Sequence, residues 1–437
     1  MKKVCLTVVV GVLGLAVAWA VQAGQAKIDA ARMLVGTAAF SDHLQIKPGI
    51  TRKITAADLP GPLATPSATN RAMIIPRPAN AWPQALPGFK VDLYATGFPG
   101  RKILTAPNGD FFVADSMGGE IKVFRGRKAD GTPEQSSVFA TGLDRPYGIA
   151  FYPAGSSPQW IYIGSTNKVV KFPYKSGDLK ATGPAATVVP ELPSGGGHWT
   201  RDLAFSQDGR RMFVGVGSAS NVAEGDASVI EREVHRANVL EYTPEGQFVR
   251  VYASGIRNPG GGLVVHPQTG ELWVSTNERD ALGDNLVPDY ITHVQEGGFY
   301  GWPWYYIGGH QDPRHAGKHP ELKDKVIVPD VLLQAHNASL GFSFYGGSQF
   351  PAEYRGDIFA AQHGSWNKSV RTGYEVIRIP MRNGKATGEY QDFLTGFVTP
   401  DGQVWGRPVS VAVAQDGAIM VTDDGSNSIW RVSYMGK

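Results

Sequence analysis

The sequence predicts an all-β chain, a six-bladed β-propeller with an irregular N-terminal arm, on three observations. One unit recurs six times: an apolar strand, a glycine turn and a second β-rich strand. Each unit turns at a glycine, at 109, 155, 209, 270, 356 and 417, with "NG" or "DG", the dipeptides that close hairpins, at 109, 209 and 417. No stretch with the 3.6-residue apolar period of a helix competes with these hairpins.

Taken in order, the chain opens with "MKKVCLTVVVGVLGLAVAWAVQA". Lys2 and Lys3 form a positive start, Val4 to Ala20 an apolar run and Val21-Gln22-Ala23 a cleavage site, so 1–23 reads as a signal peptide and the protein as exported to the periplasm. An uncleaved anchor is the competing reading. The one cysteine, Cys5, lies in this segment, so the cleaved chain has no thiol for disulfides, nucleophilic catalysis, iron–sulfur clusters or attached haem. Residues 24–88 are proline-rich ("DLPGPLATPSATN") and form the arm, with one short helix expected near 30–34.

Residues 89–437 form the propeller domain. "KVDLYATGF" (90–98) is expected to pair with the last blade and close the ring, which removes a free edge. The hairpins are "ILTAPNGDFFVADS", "YGIAFYPAGSSPQWIYIGS", "RDLAFSQDGRRMFVGVGS", "GGLVVHPQTGELWVSTN", "GFSFYGGSQFPAEYRGDIFAAQ" and "VSVAVAQDGAIMVTDD". Third strands such as "EIKVFR", "KVVKFPY" and "SIWRVSY" follow most of them. The insertion 280–335, with "GGFYGWPWYY", is expected to fold over one face. With 42% hydrophobic and 19% charged residues the chain can bury a core, and a net charge of +3 without a long basic run gives no nucleic-acid signature.

The innermost strand of each blade begins at one face of the channel. Its leading residues are Arg101, Arg145, His198 with Arg201, Arg257 with Asn258, His336 with Asn337, and Arg407. Singly these are turn residues; jointly they suit an anionic, oxygen-rich ligand, because the guanidinium fork matches carboxylate and quinone oxygens. The three glycines of "SGGGHWTRDLAFSQDG" (194–209) imply a sharp backbone path delivering His198 to the channel mouth. Asp280, Asp284 and Asp289 lack the spacing of a calcium-binding helix–loop–helix. Backbone carbonyls with one or two of these carboxylates could hold a hard cation; solvated loop acids are the alternative.

"SGGGHWTRDLAFSQDG", "GIRNPGGGLVVHPQTGELWVSTNERDALGDNLVPDY", "GGFYGWPW" and "YRGDIFAAQHGSW" together resemble the glucose/sorbosone dehydrogenase family, from about residue 85 to the C-terminus. The arm is similar to that of its sorbosone dehydrogenase branch. The resemblance implies a propeller using pyrroloquinoline quinone (PQQ) and Ca2+ to oxidise an aldose or sorbosone-like aldehyde, with electrons passing to a separate acceptor such as a cytochrome c or a quinone. It implies His198 as general base, Arg257 and Asn258 at the quinone carbonyl, Arg101, His363, Trp366 and Arg407 around the cofactor, and calcium on the main-chain carbonyls of Glu278 and Arg279, with Asp280 beside them. It also marks departures. Ser218 stands where a carboxylate supports the histidine, which makes a less basic His198 expected. The fifth-blade lysine has only Lys368 or Arg371 as candidates. Trp302 is expected to line the pocket with Trp366. A calcium-dependent lactone hydrolase and a non-catalytic ligand-binding propeller are the alternative functions.

Overall fold

The computed structural model describes residues 33–436; the export segment, Cys5 and the start of the arm lie outside the described residues. In its described part the helix expected at 30–34 is instead a strand, Met33–Val35, lying parallel to Thr51–Lys53.

The hairpins form sheets that follow one another around an axis. The first holds Ile103–Thr105, Phe111–Asp115, Glu120–Arg125 and Gln135–Ala140. Further four-stranded sheets span 148–189, 203–254 and 262–335. The last joins Pro408–Val413, Ile419–Asp423 and Ser428–Tyr434 to Phe89–Thr96, whose antiparallel pairing with Ser428–Tyr434 closes the circuit. The expectation of six like blades is corrected here: five sheets are regular four-stranded blades, and between the fourth hairpin and the last stands a seven-stranded sheet. There the blade strands Ser339–Phe344, Ile358–Gln362, Glu375–Ile379 and Glu389–Thr395 are extended by Thr51–Lys53 and Met33–Val35, with Gln84–Ala85 pairing on the same outer strand. The arm thus satisfies an edge that would otherwise present free N–H and C=O groups. Arg52 anchors it. Its buried guanidinium bonds Asp392 and the Ser41 hydroxyl, and burial, with Asp392 beside it, raises the Glu375 carboxyl well above the usual carboxylate range.

The second strand of each hairpin explains the core. Phe111–Asp115, Met212–Val216, Leu272–Thr276, Ile358–Gln362 and Ile419–Asp423 are buried at every position. They read as apolar runs rather than alternating patterns because a blade is covered on both faces by its neighbours. Edge-on aromatic pairs stitch blades together, Phe112 to Phe151 at 5.2 Å and Trp273 to Phe344 at 5.9 Å.

Part of the insertion proves to be blade: Pro288–His293 and Val331–Ala335 are its third and fourth strands, so the excursion proper is 294–330. Two bonds bridge the axis itself. Tyr147 Oη donates to the Gly261 carbonyl at 2.7 Å, and Lys102 Nζ meets Asp202 Oδ2 at 2.6 Å, both pairs being buried. Leu340 and Val409 pack with Tyr147. Among the described residues no helix is long and apolar enough to cross a membrane.

Candidate functional site

The glycine loop is clamped from below by two arginines. Arg201, fully buried, donates to the carbonyls of Pro193, His198 and Thr200; Arg236 donates to that of Ser194. Gly195 and Gly196 take left-handed conformations, φ +84° and +77°, and a Cβ on Gly196 would meet the Ala219 carbonyl at 2.6 Å. Gly197 meets no such limit, so two of the three glycines are required rather than all three. On the facing strand end, a Cβ on Gly217 would stand 2.5 Å from Asn258 Oδ1 and 2.6 Å from His198 Cβ. That glycine, unremarked in the sequence, lets the imidazole and the amide approach.

The His198 tautomer follows from its partners. Nδ1 lies 2.9 Å from the Ser218 carbonyl, which can only accept, and 3.1 Å from the Ser218 hydroxyl, which donates to Ser220 O at 2.6 Å. The proton is therefore on Nδ1, and Nε2 carries a lone pair with no partner among the described residues. Burial, and next the Arg257 guanidinium, push the imidazole down to about 3. The contact with Ser218 acts in the opposite direction, so the low basicity of His198 comes from its desolvation and from Arg257 rather than from the serine.

His198 lines a cavity of about 280 Å³ with Arg257, Asn258, Glu278, Asp280, Asp289 and Trp366 among its walls. Arg257 donates to the carbonyls of Glu278 (2.6 Å) and Asn221 (3.2 Å), and to Asp280 Oδ2 at 3.2 Å. Asn221 ties this half together: its amide accepts from Arg257 and from the Asp280 N–H, and donates to the Asp280 carbonyl. Asn367 donates to Asp280 and lies 3.0 Å from His336 Nδ1, whose Nε2 bonds the Gly283 carbonyl at 3.0 Å. Asp280 is held below the usual carboxylate range, with Arg257 offsetting its burial. Burial raises Glu278 to about 7 and Asp289 to about 6. Asn258 Oδ1 is buried without a partner.

A second cluster joins the first blade to the last. Arg101 pairs with Asp424, and its guanidinium carbon lies 5.5 Å from the Trp199 ring. Arg145 approaches the same ring at 5.5 Å and is half exposed, its nearest carboxylate being Asp144 at 3.8 Å. His363 is saturated: Nδ1 accepts from Arg407 Nη2 at 2.7 Å, so Nε2 carries the proton and donates to Asp424 Oδ1 at 2.8 Å. Burial and Arg407 lower His363 to about 4; His363, Arg101 and Arg407 hold Asp424 far below the carboxylate range despite its burial.

The residues named from sequence therefore fall in two adjoining groups. His198, Arg257, Asn258, Glu278, Asp280 and Trp366 share the cavity; Arg101, His363 and Arg407 form the charged cluster. Three expectations are corrected. Trp302 is buried against Ala223 and Ala237 and donates to the Asn221 carbonyl at 2.9 Å, so its ring is spent on packing and does not line the cavity. Lys368 is buried with its amine unpartnered, outside the cavity lining; desolvation lowers it to about 8. Arg371 is spent on the carbonyls of Asn70, Arg71 and Gly402. Asn221, Asn367 and Asp424 were missed. Asp424 was findable, since it lies just past a second strand, as Ser218 does. Asn221 and Asn367 sit in loops where an asparagine carries no positional signal.

The sequence model of the Glucose / Sorbosone dehydrogenase family matches residues 99–431. An uncharacterised protein of Borreliella burgdorferi is 28% identical over 361 residues, covering 79% of this chain and 89% of that protein. The pyrroloquinoline quinone-dependent pyranose dehydrogenase of Coprinopsis cinerea is 24% identical over 408 residues, covering 76% of this chain; the chain spans about half, 53%, of that relative's length. Among solved structures, the calcium structure of a family AA12 carbohydrate-active enzyme from Trichoderma reesei superposes with a TM-score of 0.68 at 19% identity, covering 84% of this chain and 99% of that one.

Proposed function

The chain belongs to the glucose/sorbosone dehydrogenase family, and on that premise we propose that it oxidises an aldose or a related, sorbosone-like sugar aldehyde with PQQ and Ca2+ as cofactors. The observation that carries this reading is the His198 tautomer: one nitrogen saturated by Ser218, the other bare in a cavity that Arg257 also lines.

PQQ is a tricarboxylate, and the second cluster suits it: Arg101, Arg145 and Arg407 carry more positive charge than Asp424 offsets, and Arg101 Nε is buried without a partner. Among the described residues no three ionisable side chains form a ready metal cage. The cavity nonetheless offers hard oxygens from the Glu278, Asp280 and Asp289 carboxyls, which suit calcium. The Glu278 carbonyl is taken by Arg257 at 2.6 Å, and Arg279, buried and paired with Asp312, is not among the walls. The carboxylates rather than those two carbonyls are therefore the ligands this site would supply. When bound, PQQ supplies a two-electron hydride acceptor and calcium a Lewis acid. His198 Nε2 takes the proton of the sugar hydroxyl. Nδ1–H, held by Ser218 O and Oγ, fixes the ring plane and stabilises the imidazolium. Arg257, locked by Asn221 and Asp280, presents a fixed positive charge beside it. Export to the periplasm and a separate electron acceptor, a cytochrome c or a quinone, complete the proposal.

Reconstitution tests it. Protein stripped of metal is given PQQ with and without calcium, and both PQQ fluorescence and dye reduction are followed over a panel of aldoses. Calcium-dependent binding with turnover of any sugar is expected. Failure to bind PQQ in calcium overturns the assignment.

A further inference from the structure

The arm does more than cover an edge. Residues 63–71 run from the loop after Asp280 to the loop after His363. The Leu63 N–H donates to the Leu282 carbonyl at 2.8 Å and the Asp284 N–H to Thr65 Oγ1 at 2.7 Å. A Cβ on Gly283 would meet the Thr65 carbonyl at 2.7 Å, so the two strands of chain touch there. At the other end the Asn70 N–H donates to the Trp366 carbonyl at 2.7 Å and its side chain to Ser369 O at 3.0 Å. Arg371 bonds the carbonyls of Asn70 and Arg71. Both rim loops carry walls of the cavity, Asp280 on one and Trp366 with Asn367 on the other. The family match begins at residue 99, so this bridge comes from outside it.

Arg71 is the residue the bridge delivers. Its guanidinium carbon lies 5.5 Å from the centre of the Trp366 ring, and Trp366, 43% exposed, lines the cavity. Arg71 is itself exposed. No carboxylate lies within ion-pairing distance of it, and its side-chain donors have no acceptor among the described residues. Its carbonyl is held by Arg371 and its guanidinium carbon stands over an indole, which reduces the ordering needed to bind a ligand. Such a fork pairs with a planar carboxylate through two parallel hydrogen bonds.

We infer that residues 63–71 brace the rim of the cavity, behind the wall residues Asp280 and Trp366, and that Arg71, standing over Trp366 at that rim, is a specificity-determining residue selecting sugars with a carboxylate remote from the reacting carbon, the uronic acid class. The inference rests on the dehydrogenase reading for its substrate.

The test compares glucuronate and galacturonate with glucose and galactose, using the full chain with PQQ and calcium. The ratio of kcat/KM, acid over neutral sugar, is expected to fall about tenfold in Arg71→Ala and further in Arg71→Glu, the change lying in KM. Arg71→Lys recovers only part, since an ammonium cannot bind bidentately. A ratio unchanged in Arg71→Ala and Arg71→Glu overturns the inference while leaving the dehydrogenase reading intact. If no sugar is oxidised by the unaltered protein, that reading fails instead. Ligand-observed NMR of glucuronate against glucose then decides the Arg71 question by binding alone: preferential glucuronate binding lost in Arg71→Glu supports it, and equal binding in both proteins overturns it.

Discussion

His198 and His363 stand in the same channel, the first half-buried, the second buried and both neutral, yet they are held in opposite tautomers. His198 is protonated on Nδ1 and keeps Nε2 bare beside a cavity. His363 is protonated on Nε2, and each of its nitrogens is occupied, one by Arg407 and the other by Asp424. Both values are depressed chiefly by burial and next by an arginine, so acidity alone does not separate them. The unused lone pair does. A histidine with two satisfied nitrogens is a strut between charges; one with a free nitrogen over a cavity is a base. His336, also satisfied on both sides, belongs with the struts.

The largest expected effect breaks this contrast at its centre. His198→Ala should lower kcat by about 10²–10⁴ while PQQ binding, read by fluorescence, is retained. His363→Gln should instead weaken PQQ binding and leave kcat at saturating cofactor within about tenfold. Equal losses of kcat in the two variants would erase the distinction.

Next in size, Asp424→Asn leaves Arg101 and Arg407 without their shared carboxylate. Urea unfolding should show a loss of about 3 kcal/mol, the scale for stripping one partner from a buried charge cluster. Because Asp424 titrates lower in the folded state, its contribution is present above the ordinary carboxylate range and is lost as pH falls through its depressed value.

The histidines give a sign of their own. Each is lower when folded, so between pH 6.5 and about 4 the unfolded chain binds protons that the folded chain does not. Stability without added cofactor should therefore fall on acidification, by up to about 1.4 kcal/mol per pH unit for each histidine. The slope should flatten in either single Gln variant. In turnover, the base is active when unprotonated, so no acid limb from His198 should appear near its ordinary value. An acid limb at pH 6–7 that vanishes in a His198 variant would contradict the burial argument.

The smallest effect sharpens the contrast. Ser218→Ala removes one of two acceptors for Nδ1–H and leaves the carbonyl. A loss of about 1 kcal/mol, or roughly fivefold in kcat, is expected; a loss as large as that of His198→Ala would assign the hydroxyl a direct part in proton transfer.

What could be read from sequence follows from what is local. A glycine turn between two apolar strands is encoded within a dozen residues, and the hairpins were visible for that reason. Arg257 with Asn258, and His198 behind its glycines, were visible because each leads an inner strand. The arm was visible as a proline-rich segment but its pairing was not, since strands of two or three residues such as Gln84–Ala85 and Thr51–Lys53 exist only through their pairing with Glu389–Thr395. Nor were Asn221 and Asn367, whose partners lie 59 and 87 residues away at Asp280. The clamp of Arg201 and Arg236 on the glycine loop is likewise a product of folding: two guanidinium groups bonded to backbone carbonyls rather than to carboxylates leave no charge pattern to detect.

The bonds across the axis, Tyr147 to Gly261 and Lys102 to Asp202, have a kinetic corollary. With the propeller channel cross-braced at its waist, the His198 cavity serves as the doorway in the proposed reaction. Under the proposed reaction, the sugar and the oxidant that later collects its electrons must take turns at that doorway, each half-reaction ending before the next visitor enters. Initial-rate plots at several acceptor concentrations should accordingly be parallel lines, and excess of either visitor should obstruct the other.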